Sequence, residues 1–305
     1  MASKGCSSRR SELVKLFLER SGVHRADPSP EKIMIALVNK MARRASQSQE
    51  QRLHRALSHR NIKSVDFCDN LGCDGILEPC GSTFTEGFRI QLKRGVTGAR
   101  MRFTMAHEVC HTFFYELVPE LKFRPHERDD WEETLCNLGA ATLLIPDRRL
   151  RSDARELPIC LDSLQRLAEN YRVSLPTMLL RLNALGLWKC ELSTWHRKVD
   201  DSFILDRLYG GRQASWEWQD ESVLNRAWES AASIFGKGYV YLTDSAGSRR
   251  YKPIRFDIRR YGPAVIALCG NTVKPNTPDY PLLKSSGSLR RMRGIDEPSN
   301  SGLSR

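Results

Sequence analysis

His107, Glu108 and His111 form an H-E-x-x-H pentapeptide inside the helix-periodic run of residues 100–114. Two residues four apart lie one above the other on a helix face, so both imidazoles can reach one metal ion while Glu108 projects beside them. Such a set suits zinc-assisted hydrolysis. Zinc held by three protein ligands keeps a fourth position for water and lowers its pKa toward ~7, and a neighbouring carboxylate serves as general base. A chance pentapeptide on a solvated helix face is the bland alternative, and the surrounding pattern argues against it. Phe103, Met105, Ala106, Val109, Cys110 and Phe113 supply an apolar stripe, whereas His107, Glu108 and His111 share a separate face.

A third ligand is needed, and the H-E-x-x-H-x-x-G-x-x-H extension does not provide it: Phe114 stands where the glycine would be and Leu117 where the histidine would be. The search moves to a carboxylate on a second helix. Residues 129–146 open with the N-cap candidates Asp129 and Asp130 and close against Pro146. Glu133 in its first turn is either a metal ligand or the N3 residue of a capping box begun by Asp130. Asp129 with Glu132 offers the same box one residue earlier, which would leave Glu133 free and make Glu132 a cap. Gly139, Ala140 and Ala141 give a small-residue surface on which the first helix can pack closely, bringing Glu133 near the histidines.

Residues 102–111, RFTMAHEVCH, resemble the R-F-T-x-A-H-E-x-x-H block of the ImmA/IrrE family of zinc metallopeptidases. Residues 133–146, ETLCNLGAATLLIP, are similar to the E-x-x-A-N-x-F-A-A-x-L-L-x-P block of that family, and residues 75–78 and 87–92 sit where it has short strands. The resemblance covers roughly residues 60–190. It implies that Glu133 is the third ligand beside His107 and His111, that the metal is Zn2+ or another divalent ion, and that Glu108 is the catalytic base. It further implies a cytoplasmic bacterial endopeptidase that inactivates a helix-turn-helix repressor by limited cleavage, releasing a stress-response or mobile-element programme. Two positions depart from the family pattern: Cys110 replaces a glycine and Gly139 an aromatic residue, a pair of changes that can offset each other in volume. Cys110 itself reads as a small core hydrophobe.

The whole chain fits this picture. Its 305 residues suffice for two or three cores, and a 40% hydrophobic, 28% charged composition is that of a globular protein. No stretch of about 18 apolar residues spans a membrane, and the start lacks the apolar region of a secretory signal. Nine scattered cysteines suit a reducing compartment; Cys68, Cys73 and Cys80 lack C-x-x-C spacing and are not read as a zinc site. A net charge of +12 suggests an anionic partner, although the basic residues are spread along the chain.

The expected fold is α+β. A disordered arm (1–28) precedes a zincin-like metallopeptidase domain (29–150), and a helix-turn-helix-like module (151–190) follows, with Ser174 capping its second helix, Pro176 in the first turn and Gly186 past the end. A C-terminal α+β domain (191–283), GAF-like by the same resemblance, precedes a disordered basic tail (284–305). Within the C-terminal domain we expect a helix over residues 221–235, a strand over 239–242, an alternating strand around Ile254, Phe256 and Ile258, and a buried strand over 264–269. The runner-up function is a DNA-binding regulator that keeps the peptidase scaffold without catalysis; a third is a toxin or antitoxin partner.

Overall fold

Hydrophobic alternation builds the smaller of two sheets. In β3 (Phe88–Lys93) every second residue, Phe88, Ile90 and Leu92, points inward and is buried. β3 pairs in parallel with β1 (Ile62–Cys68) and antiparallel with β2 (Gly75–Pro79), giving the order β1-β3-β2 with β2 at an edge. The computed structural model describes residues 14–23, 29–42, 49–81, 84–96, 98–117, 130–210, 215–230, 232–243 and 247–273. The expected basic tail lies outside these residues. All of them belong to the first of two units, Met1–Pro275 and Asn276–Arg305.

The helices α1 (Pro30–Ala42) and α2 (Gln49–His59) come before the sheet in the chain. α1 buries Ile33, Met34, Val38 and Met41, a helical stripe set against the pair that matters most: α3 (Gly98–Leu117) and α4 (Asp130–Leu144). α3 crosses β2 and β3. At Gly75 the strand comes so near that an added Cβ would stand 2.5 Å from the Thr104 methyl. Arg60 secures the other end of α3. Its guanidinium donates to Thr112 Oγ1 at 2.7 Å, pairs with Glu116 and lies over the Phe113 ring.

The expected arm over residues 1–28 is corrected in part. Residues 14–20 are helical, and Phe17 is fully buried, stacked 4.7 Å from Phe114 and edge-on to Trp131. Val14, Phe17 and Leu18 have i, i+3, i+4 spacing, an apolar stripe interrupted in sequence by charged residues that face away from it.

After α5 (Asp147–Ala154), the helices α6 (Leu161–Asn170) and α7 (Leu175–Ala184) form the expected hairpin. Ser174 Oγ accepts from the Thr177 N–H, a proline stands in the first turn and Gly186 follows in the left-handed conformation. α7 offers little to a DNA groove. Its one cation, Arg181, is buried against Asp147 and the Ile145 carbonyl, while Leu180 and Ala184 face solvent. The hairpin packs into the same hydrophobic core as α3 and α4, and that core also takes in Leu192, Ile266 and Leu268 from beyond residue 190.

The C-terminal region is a six-stranded antiparallel sheet, β5-β4-β9-β8-β7-β6, formed by β4 (Glu191–Arg197), β5 (Phe203–Tyr209), β6 (Ser215–Trp218), β7 (Ile234–Thr243), β8 (Arg249–Tyr261) and β9 (Ala264–Cys269). β9 is buried at every position because both its faces are covered. Ile266 and Leu268 enter the first core, and Val265, Ala267 and Cys269 enter a second one shared with α8 (Ser222–Glu229). The helix expected over residues 221–235 is therefore shorter: Ser230 turns extended, and Ile234 opens β7, whose Gly236 and Gly238 leave room for the Phe256 ring. No helix among the described residues is long and apolar enough to cross a membrane.

Candidate metal centre

The contact between α3 and α4 determines the site. Opposite Cys110, α4 carries Gly139, where a Cβ would stand only 2.6 Å from the Cys110 sulfur. Cys110 thus occupies space that a larger residue at 139 would need. Its thiol is buried and pushed up to about 12 by that burial, as expected of a core residue.

This approach brings the first two turns of α4 onto the His107–His111 face. His107 Nε2 lies 2.9 Å from His111 Nε2, and Glu133 reaches both, with Oε2 3.1 Å from His107 Nε2 and Oε1 3.4 Å from His111 Nε2. Glu108 completes the group: its carboxylate and the donor nitrogens of both histidines all lie within 4.8 Å of one another. His111 and Glu108 are buried, while Glu133 is partly open to a cleft of about 630 Å³ lined also by Asp74, Gly75, Arg100 and Phe103. Among the described residues His107, Glu108 and His111 are the group of three whose donor atoms lie close enough to hold one metal ion, and Glu133 adjoins it.

The far side of each imidazole is also held. His107 Nδ1 lies 3.0 Å from Asn137 Oδ1, and His111 Nδ1 lies 2.6 Å from Glu132 Oε1. Both partners are oxygens, so each Nδ1 carries the proton and each Nε2 presents a lone pair. Two lone pairs and a carboxylate facing one another at 2.9–3.4 Å repel unless a cation lies among them. These separations are close to the ~3.3 Å between corners of a tetrahedron of 2.0–2.1 Å bonds, so the donor set fits a zinc-like divalent ion. Burial acts to raise the Glu133 carboxyl, but the adjoining His107 and His111 rings outweigh it, and the group is held well below the usual carboxylate range.

Glu132 is the correction. The capping box with Asp129 made it a surface cap, yet its carboxylate is buried against His111. Consecutive helix positions diverge by about 100°, and here the two carboxylates grip opposite edges of one imidazole, Glu133 at Nε2 and Glu132 at Nδ1. Asn137, one turn beyond Glu133, does the same for His107. The only trace of these supports in the sequence is the i, i+4 spacing of Glu133 and Asn137; nothing local marks Glu132.

Residues 81–183 match the model of peptidase family M78, described as the IrrE N-terminal-like domain, so the resemblance drawn from the two helix blocks holds over this third of the chain. Comparison with curated proteins gives no match. Among the solved structures that match is a Mycobacterium tuberculosis transcriptional regulator, with 11% identity and a TM-score of 0.45 over 85% of this chain and 79% of the other.

Proposed function

We propose that the IrrE N-terminal-like peptidase domain at residues 81–183 makes this protein a zinc-dependent endopeptidase whose substrate is a helix-turn-helix transcriptional repressor. The observation that carries the reading is the convergence of His107 Nε2, His111 Nε2 and Glu133 beside Glu108 at the floor of an open cleft. His107, His111 and Glu133 would hold the ion. When bound, zinc or another divalent ion supplies a Lewis acid and an acidified water.

The remaining work falls to side chains and backbone of this chain. Glu108 accepts the proton of the attacking water and returns it to the departing amine. Asn137 and Glu132 keep both imidazoles in the Nδ1–H tautomer, so neither ring can turn its lone pair away. β2 hydrogen-bonds only β3 in its sheet, and Gly75 at its start lines the cleft, so its outer edge can receive an extended peptide as an added strand. The repressor substrate comes from the family resemblance. The C-terminal sheet, GAF-like by the same resemblance, would then be the part that receives the activating signal.

Purified full-length protein carrying about one zinc per chain should cleave a helix-turn-helix repressor encoded beside it at a limited number of bonds. Glu108→Gln should lower that rate by ~100-fold or more while zinc content is unchanged. Undiminished proteolysis in the variant would remove Glu108 from the role of base, and cleavage by neither protein under any divalent metal would remove the peptidase assignment.

A further inference from the structure

The outer face of β7 and β8 belongs to no part of this reading. In β8, Ile254, Phe256 and Ile258 point into the second core, so Arg249, Tyr251, Pro253 and Arg255 point the other way. The register sets Tyr251 opposite Tyr241, Pro253 opposite Tyr239 and Arg255 opposite Lys237. Farther along the same face, Asp257 and Arg259 are covered by α6, Asp257 accepting from the Leu161 N–H and Arg259 donating to Asp162. The other half stays open: Tyr239 is 46% and Tyr251 50% exposed.

The rings form a continuous surface. Tyr239 and Tyr251 stack at 4.7 Å with planes 9° apart, Tyr241 meets Tyr251 at 5.3 Å, and the Arg249 guanidinium lies 4.1 Å over Tyr241. The Tyr251 hydroxyl donates to Gln219 at the rim of this surface. Lys237, Arg249 and Arg255 surround the tyrosines, and Arg249 pairs with Glu217. The whole chain carries a net charge of +12 in the same sense.

We infer that this tyrosine and arginine face of β7 and β8 binds single-stranded nucleic acid by stacking bases on Tyr239 and Tyr251, with Lys237, Arg249 and Arg255 on the phosphates. Each feature excludes a different competitor. A duplex keeps its base faces stacked internally and cannot use the rings; a proline-rich peptide can use the rings but has no charge for the cations. An unpaired strand uses both. The surface is independent of the metal centre and stands whether or not the chain is a peptidase.

The test titrates the full-length protein into fluorescein-labelled oligothymidine and oligouridine of about 12 nucleotides, read by anisotropy at about 0.05 M and 0.2 M salt. Binding should weaken with salt and exceed that of a duplex of equal length. The double variant Tyr239→Ala, Tyr251→Ala should lose at least about tenfold in affinity, and Tyr239→Phe, Tyr251→Phe should stay within about twofold of the parent, because the ring and not the hydroxyl does the stacking. Zinc content and melting temperature, the same in all three proteins, establish that the alanine variant is folded. The inference is overturned by no binding at the lower salt, by equal affinity for duplex, or by binding that the alanine variant retains in full. Binding of a proline-rich peptide in place of the oligonucleotides, abolished in the alanine variant, would overturn it in favour of a peptide surface.

Discussion

Glu132, between α3 and α4, and Asp257, in the C-terminal sheet, are both carboxylates removed from solvent, and they do different things. Glu132 grips the Nδ1 edge of His111, whose other nitrogen faces His107 and Glu133. Asp257 accepts the Leu161 N–H at 2.6 Å and thereby caps α6, tying the hairpin to the sheet. Burial of charge does not distinguish them. What differs is the partner: a ring with a second functional atom passes the constraint on to a point where ligands converge, whereas a backbone N–H ends it.

That contrast is open to attack, beginning with the ligands themselves. His111→Ala removes a ligand and the group that Glu132 holds, so zinc per chain should fall to near zero and the melting temperature should drop, since metal binding is also folding energy. Full zinc content in this variant, measured by elemental analysis, would move the metal elsewhere.

The next largest effect tests Glu132. Glu132→Ala should weaken zinc affinity by ~10–100-fold, in competition with a chelator, and Glu132→Gln, which still offers an oxygen to His111 Nδ1, should recover a good part of that. Unchanged affinity in the alanine variant would return Glu132 to the role of a cap. Asp257→Asn should leave zinc affinity unchanged, which is the sharpest statement of the difference between the two carboxylates.

The ligand geometry depends on the contact between α3 and α4. Gly139→Ala places a methyl against the Cys110 sulfur and should destabilise the fold by about 1–3 kcal/mol; adding Cys110→Ala should recover part of this by restoring the lost volume. Additive losses in denaturant unfolding would mean that the two residues do not share one space.

The smallest effect is the pH dependence of Asp257. Burial raises its carboxyl to about 6, against an unfolded value of 3.8, although the Leu161 N–H acts in the opposite sense. Between those values the folded protein holds the proton more tightly than the unfolded chain, so this group's contribution to stability is greatest at low pH and declines as pH rises toward 6 and beyond. The melting temperature of Asp257→Asn relative to the parent should therefore move upward between pH 4 and pH 7. A downward trend would mean that the ionised carboxylate is the form the fold favours.

Legibility in the sequence followed the range of the interactions. His107, Glu108 and His111 were visible because a helix of period 3.6 brings residues four apart together whatever the tertiary fold. The Ser174 cap and the alternation in β8 were visible for the same reason: each is decided within a few residues. β1 was not visible. Its residues show no clean alternation, Phe67 is half-exposed, and the strand exists because β3, more than twenty residues away, pairs with it in parallel.

The amino-acid sequence by itself determined the reactive pentapeptide, the helix that presents it, the second helix with Glu133 near its start, and the excess of positive charge. Only the tertiary structure decided that Gly139 seats against Cys110, that Glu132 holds His111 instead of capping a helix, that Asn137 holds His107, and that three tyrosines from two strands meet on one open face. The physical reason is register. Local periodicity fixes which residues share a face of one element, but the rotation and slide of two elements against each other are set by packing summed over the whole core, and a slip of one residue would exchange the parts played by Glu132 and Glu133.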